Sequence, residues 1–562
     1  MRKFIILALL MVFCGLGFGA DRYIDWDSGN DTTGDGTIGN PWKSFEKAYN
    51  SSTDGETVYV VANDDPSGSP YEKPGGYTQM FGVRSLTFEG LSSNAEDVVF
   101  KGTAGQSYHI RFEGSAAAPR SLTFRNMTLR GNTTNPAMLR NSSSRAYASD
   151  ITLDNVICDG PGSIITASAT NGSTSEPTYT FSNLTSTANN GIILIDAAAV
   201  NLNNVDITTV TNGHGLKLSG DVGTVIIDDY TFDTGIASGG SAILGDSLTS
   251  LEYLIGRNLT FTVNGSAGTG GSGIRIEDFA QNVLIDNITV INNATTGNVA
   301  GIGIQLGKDL PTNANPLGFV SVANATITYT GDVTQHGVLA GAGCDYGRYE
   351  NITVDTKKIV SAVGIGIVVK GDGNYWSGVV SRSQRPLLIK GGSRSKFTDL
   401  TLYAYYLTDD QAANATVSIR TDVTEIPSNN IIENSIIFAE AGVDVLIYDG
   451  DGTDHDNMFD YNCYYGGDNI AWLDGGAIAD IAALRTKWGT YSVLGSKNDT
   501  NSIEEDPSLD ANNKPRNPNV INGGRPDING NSTSIGAIQA GTETTTEISI
   551  MGPTVINVLG PN

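Results

Sequence analysis

Apolar and polar positions alternate along most of this chain in short runs that change phase at one recurring kind of residue. In NVLIDNITVIN, Asn282 to Asn292, Val283 and Ile285 lie two residues apart, as do Ile288 and Val290, but Ile285 and Ile288 lie three apart. In one flat strand those two pairs would point to opposite faces. They share a core only if the backbone bends at Asn287, and Asn is among the few residues that accept the left-handed conformation such a bend uses. The stretch predicts a strand, a one-residue corner and a second strand.

The same pattern, apolar at minus four, minus two, plus one and plus three, fits fully or partly around Asn126, Asn155, Asn183, Asn204, Asp229, Asn258, Asn287, Asn324, Asn351, Gly378, Asp399, Asn434 and Asn462, with an early corner at Gly90. Intervals run from 21 to 37 residues, mostly 25 to 29. After a variable loop each unit carries a third short strand: GLKL at Gly215, GIRI at Gly273, GIGIQL at Gly301, GIGIVVK at Gly364, PLLIK at Pro386 and TVSIR at Thr416. Three strands per ~25 residues form one coil of a solenoid, in which stacking completes a core that no coil closes alone. Thirteen corners give twelve steps, so the regular part of the rod is roughly 60 Å long.

These residues resemble the right-handed parallel β-helix, pectate-lyase-like superfamily of secreted proteins over nearly the whole chain beyond its first residues. The fold expected is all-β: a single-stranded right-handed parallel β-helix with an N-terminal cap helix and a C-terminal cap and tail. Right-handedness follows from the resemblance and from the general hand of parallel crossovers. Residues 1–20, with Arg2 and Lys3 ahead of an apolar run and small residues before a cleavage point, read as a secretory signal peptide. Residues 21–57 read as an N-terminal cap, because an open coil exposes core and unpaired strand edges. Within it NPWKSFEKA is expected as a short helix with Trp42, Phe45 and Ala48 on one face. The β-helix then runs over residues 58–540, its last part (Met458 to Gln539) resembling the family's terminal coil and cap. In residues 541–562, ISIM and TVINVL read as two β segments that either fold back on the last coil or pair with another molecule.

Charge narrows the partners. A formal net charge of −26 argues against nucleic acid, which needs a basic surface, and leaves divalent cations, neutral glycans or one local basic site. The signal peptide places the mature protein outside the cell or at its surface as an expectation, and no segment after the first 20 residues approaches the ~20 apolar residues of a membrane span. Cys158 and Cys463 fall on inward positions many coils apart, which suits core hydrophobes better than a disulfide. Asn126, Asn183, Asn258, Asn287, Asn324, Asn351 and the loop residue Asn414 match the glycosylation sequon. The corner pattern accounts for the first six: Asn at the bend, an inward residue, then an outward Thr.

In the superfamily resembled, the third strand floors the binding groove. Its outward residues here include Lys217, Arg275, Gln305, Lys370, Lys390 and Arg420, a basic track of the kind a uronate-rich polysaccharide requires. Between Lys370 and Lys396 the chain carries six basic residues (with Arg382, Arg385 and Arg394) against one acid, Asp372. Tyr375, Trp376, Tyr403 and Tyr405 flank this window, and aromatic faces stack on sugar rings while cations hold carboxylates. A β-eliminating lyase needs a cation to neutralise the uronate and a base to take the adjacent proton. Lys390 or Lys370 could be the base and Arg394 or Arg385 the neutraliser, with Asp345 and Asp372 as Ca²⁺ ligands. The acidic loop from Tyr448 offers Asp449 and Asp451 as further Ca²⁺ ligands. NGHG at His214 and the pair Asp228, Asp229 echo the polygalacturonase set, but in the reverse order, and Asp229 is itself a corner.

Two functions of different class follow. One is an exported β-helix that binds or processes extracellular polysaccharide, most plausibly anionic, as a lyase or, less favoured, a hydrolase. The other is a non-catalytic surface or matrix protein, an adhesin or fibre subunit, self-associating through its C-terminal tail. Fold does not choose between them.

Overall fold

The computed structural model describes residues 21–536 apart from 65–70, 73–77, 83, 103–107, 115–119, 132–136, 144–149, 170–175, 189, 210–212, 235–239, 265–270, 294–300, 309–316, 332–334, 357–363, 406–414, 422–425, 441, 444, 450–455, 474, 491–498, 511–513 and 527–532. Met1 to Ala20, the tail 541–562, Asp451 and Asn414 therefore lie outside the described residues.

Nearly every strand pairs in parallel with its counterpart one coil away, which makes the chain a parallel β-helix. The register is in phase with the sequence pattern: Val283, Ile285, Ile288 and Val290 pair with Val320, Val322, Ala325 and Ile327, and all eight are buried in one continuous core. Both halves of the motif thus point inward, because Asn287 sits at φ 55°. The corners at Asn126, Asn155, Asn183, Asn204, Asp229, Asn258, Asn324, Asn351, Gly378, Asp399 and Asn434 are also left-handed.

Two expected corners differ. The last bend is at Tyr461, φ 54°, and Asn462 next to it points inward, where its Oδ1 accepts from the Ser435 amide and its Nδ2 donates to the Ile432 carbonyl. The need for an interior strut at the end of the stack moves the bend by one residue. Gly90 is not left-handed, and Leu91 stays 50% exposed. Its glycine serves a close approach instead, since a Cβ there would lie 2.1 Å from the Asn126 carbonyl oxygen.

Both ends are covered. Helix Phe45–Ser51 is capped by Ser44, which accepts from the Lys47 amide, and buries Phe45, Ala48 and Tyr49. Trp42 is buried just ahead of it, and Arg22–Ile24 supplies a parallel rung to Thr57–Val60, so the cap joins the ladder. The cap carboxylates are structural: Asp25 accepts from the Asp27 and Ser28 amides, and Asp31 from those of Lys43 and Ser44. At the other end helix Ile481–Trp488 closes the core, with Trp488 stacked on Phe459 at 5.1 Å. The chain then returns along the flank, where Val520 and Ile535 cover Ile436 and Cys463. Cys463 is thus buried outside the coil, under this return segment, not at an inward position as its sequence context suggests. Cys158, Cys344 and Cys463 are all free thiols. No helix among the described residues is long and apolar enough to cross a membrane.

Candidate functional site

On the floor sheet the outward residues form stacked columns whose character changes along the rod. In the N-terminal half the expected basic track is neutralised in place. Lys217 Nζ lies 2.7 Å from Asp246 Oδ2, Arg275 Nη2 is 2.7 Å from Glu277 Oε1, and Gln305 Nε2 donates to the same Glu277 oxygen at 2.9 Å. Burial and the neighbouring Lys217 lower the His214 pKa, and its Nδ1 accepts from the Ser241 amide, so it is a neutral ring protonated on Nε2. The charges of Lys217 and Arg275 are thus paired within the protein, with the apolar Leu244 between them in the same column.

The column through Lys217 and Arg275 then becomes apolar. Leu339, Val368 and Leu388 follow one another in register and, with Ile365, form a buried cluster separate from the main core. Lys370, one rung before Lys390 in the adjacent column, is only 5% exposed. It is a buried side chain, not the exposed base its strand-end position suggested, because this part of the floor is covered.

Beyond Leu388 the floor becomes cationic and aromatic. Lys390 pairs in register with Arg420, and Tyr448 with Trp472 one coil further on. Arg420 Nε donates to Ser418 Oγ at 2.9 Å, and its guanidinium lies 4.9 Å from the Tyr448 ring centroid. Arg385, at the start of the Lys390 strand, is mostly buried; burial and, after it, Arg420 push its pKa down to about 10. Its Nε is buried without a hydrogen-bond partner among the described residues. Two guanidinium groups are thus held near each other, one of them largely out of water. Tyr448, Ser418 and Trp472 were not singled out as site residues by the sequence, although extending the floor series to VLIYD and NIAWL would have found them.

The remaining expected site residues face other directions, because one coil of ~25 residues turns through the whole circumference of the solenoid. Trp376 is 0% exposed and stacks at 3.9 Å on Tyr349 in the core, so it cannot contact a sugar. Tyr375 lies on the outer face of the first-strand sheet, with the Arg348 guanidinium 5.9 Å from its ring. Tyr403 and Tyr405 lie on the second-strand sheet, packed edge to face at 5.1 Å, their hydroxyls donating to Glu440 and Asp355. Lys396 pairs with Glu433 at 2.6 Å, and Arg382 lies 3.9 Å from Asp355.

Asp345, Asp372 and Arg394 form a structural chain at the turn after the floor strand. Asp345 Oδ1 accepts from the Asp372 amide at 2.8 Å, Asp372 Oδ1 from the Ser393 amide at 2.8 Å, and Asp372 Oδ2 from Arg394 Nη2 at 2.6 Å. Both Asp372 oxygens and one Asp345 oxygen are thus engaged within the protein. Asp449 shares its rung with the core residues Ile419 and Leu473, which sets it apart from a solvated calcium loop. Among the described residues, no three His, Cys, Asp or Glu side chains are grouped to hold a metal ion.

No family model matches the sequence, and no curated protein matches it. Solved structures similar to it include the tailspike protein 3 of bacteriophage CBA120, at 11% identity and TM-score 0.35, covering 81% of this chain and 60% of that one. XylC in complex with xylose aligns at 9% identity and TM-score 0.24, covering 87% of each chain. The A-module of the Azotobacter vinelandii mannuronan C-5 epimerase AlgE6 aligns at 11% identity and TM-score 0.23, covering 81% of this chain and 92% of that one. This chain thus spans 60% of the tailspike's length, and its fold assignment rests on its own parallel coil pairing.

Proposed function

We propose that the protein binds an extracellular anionic polysaccharide on the C-terminal half of its floor sheet, with Arg385, Lys390 and Arg420 meeting acidic groups and Tyr448 and Trp472 stacking on sugar rings. The observation that carries this reading is Arg385: a guanidinium desolvated beside a second one is held at a cost that an anion bound between them would offset. Tyr448 and Trp472, in register on the next two strands of the floor, would supply apolar faces for the rings of the same ligand. If the site also turns its ligand over by β-elimination, Lys390 is the residue placed to act as base and the two arginines to neutralise the uronate.

The test is a panel of soluble acidic and neutral polysaccharides, with binding read by affinity electrophoresis and turnover by ultraviolet absorbance of unsaturated ends. Acidic polymers should bind the parent, and Arg385→Ala with Arg420→Ala should abolish that binding. Lys390→Ala should remove any turnover and weaken binding less than loss of the two arginines does. A parent that retains no acidic polymer ends the reading and leaves the rod as a structural surface protein.

A further inference from the structure

A second surface, on a different face of the solenoid, breaks the rule that outward positions of a strand are polar. On the outer face of the first-strand sheet, Thr224, Tyr253, Asn282 and Phe319 stand in register in four successive coils. The next column toward the corner holds Ile226, Ile255, Leu284 and Ser321. Over these four coils neither column contains a charged residue; the second column meets Arg348 at its next rung. Tyr253 is 40% exposed, Phe319 51% and Ile226 41%. Neither aromatic ring stacks on another ring among the described residues, unlike Tyr403, Phe438 and Tyr465, whose rings pack on one another at 4.6 and 5.5 Å. Tyr253, Phe319 and Ile226 thus form a narrow exposed apolar strip, and its value as a binding surface rests on the spacing of its rings and not on its area.

The dimensions choose the occupant. Four rungs and two columns cover an area on the order of 200 Å², well short of the ~800 Å² per partner that a stable protein interface buries. The strip is therefore too narrow to hold a second copy of the chain, but it is the width of one polysaccharide strand. Tyr253 and Phe319 are two rungs apart, roughly 10 Å. In an extended glycan whose successive rings turn over, every second ring presents the same face, so two aromatic rings at this interval meet alternate sugars. Asn282, between them, donates from Nδ2 to the Glu252 carbonyl at 3.2 Å, which fixes its amide and leaves Oδ1 as the acceptor for a hydroxyl of the intervening sugar. The C–H groups on a sugar face carry partial positive charge and suit the negative face of an aromatic ring. A chain of net charge −26 with no basic side chain in these four rungs selects against a polyanion here. We propose that Tyr253, Asn282 and Phe319 form a second glycan-binding surface, which takes a neutral, extended polysaccharide laid along the rod axis. This surface does not depend on the floor reading.

The test is affinity electrophoresis of the full chain through gels containing hydroxyethyl cellulose as a soluble neutral β-linked glucan, with analytical sedimentation in parallel. The parent should be retarded. Tyr253→Ala with Phe319→Ala should weaken retention by about tenfold per ring, with an unchanged melting temperature because both side chains are exposed. Arg385→Ala, on the floor, should be retarded like the parent, which separates the two surfaces. A parent that is not retarded, or a double variant retarded as strongly as the parent, overturns the proposal. So does a parent dimer that the double variant dissociates without any change in glucan retention, since the strip would then belong to a second copy.

Discussion

Asn287 donates its side-chain amide to Asn258 Oδ1, 2.8 Å away in the preceding coil, and both residues hold left-handed backbone at φ 55° and 53°. The link is repeated from Asn155 to Asn126, Asn204 to Asn183 and Asn351 to Asn324. At these bends one residue type therefore does two things: it accepts the strained dihedral, and it ties the coil to its neighbour.

Replacing Asn287 with Val should destabilise the protein by roughly 1–3 kcal/mol, because a β-branched residue is strained in this conformation and the interchain-like amide link between coils is lost. Asn287→Gly keeps the dihedral and loses only the link, so it should cost less. Thermal melts of the two variants should rank parent, Gly, Val; a Val variant as stable as the parent would refute the account of the corner.

The turn after the floor strand gives a prediction of the opposite kind for two charged partners. Asp372→Ala removes the acceptor of the Ser393 amide and should cost about 1–3 kcal/mol. Arg394→Ala removes only an exposed cation and should leave the melting temperature nearly unchanged. Equal losses from the two variants would mean that their ion pair, and not the carboxylate's bond to backbone, holds the turn.

At the C-terminal cap, Asp499 Oδ1 accepts from Tyr464 Oη and Ser502 Oγ, each at 2.7 Å, while Oδ2 is buried without a hydrogen-bond partner among the described residues. Burial raises the carboxyl's pKa from 3.8 to about 7, with Asp460 adding to the rise and Arg485, clamped on the Asp499 and Ser502 carbonyls, opposing it. The folded state thus holds a proton the unfolded chain releases near pH 4. Its stabilising contribution is complete below that pH and is lost as pH rises through about 7. Parent stability should fall between about pH 4 and 7 relative to Asp499→Asn, by an amount on the order of a few kcal/mol. Melts of the two proteins that stay parallel over that range would rule the linkage out.

The corners were legible because left-handed backbone admits so few residue types that Asn, Asp and Gly mark it from sequence alone. The same pattern already places Trp376 inward, two residues before Gly378, and reading it as a sugar contact let proximity in sequence outweigh register. The basic window misled for that reason: Arg382, Lys390 and Lys396 lie within fifteen residues, yet the coil turns them to three different sheets. The neutralising contact of Lys217 with Asp246 joins two coils and depends on stacking register, which variable loops conceal. Arg385 and Arg420 were named from sequence for their charge, but the feature that distinguishes them, a desolvated Arg385 held beside Arg420, exists only once the coils are stacked.

That burial makes Arg385 the residue at which stability and binding should trade against each other. A guanidinium whose pKa is lowered to about 10 is charged at neutral pH in a setting that disfavours the charge. Its folded state binds a proton less readily than the unfolded chain, so the site destabilises the free protein at all pH values below about 10. Arg385→Met keeps the apolar stem and removes the charge, and should match or exceed the parent's stability by up to about 2 kcal/mol in the absence of ligand. An acidic oligosaccharide at a hundredfold excess over its Kd should then stabilise the parent by about 2.7 kcal/mol and the variant by little. The two melting curves should cross in order as ligand is added: variant above parent without it, parent above variant with it. A variant that is less stable than the parent without ligand would assign Arg385 a structural partner, and the floor would lose its main claim to an anion.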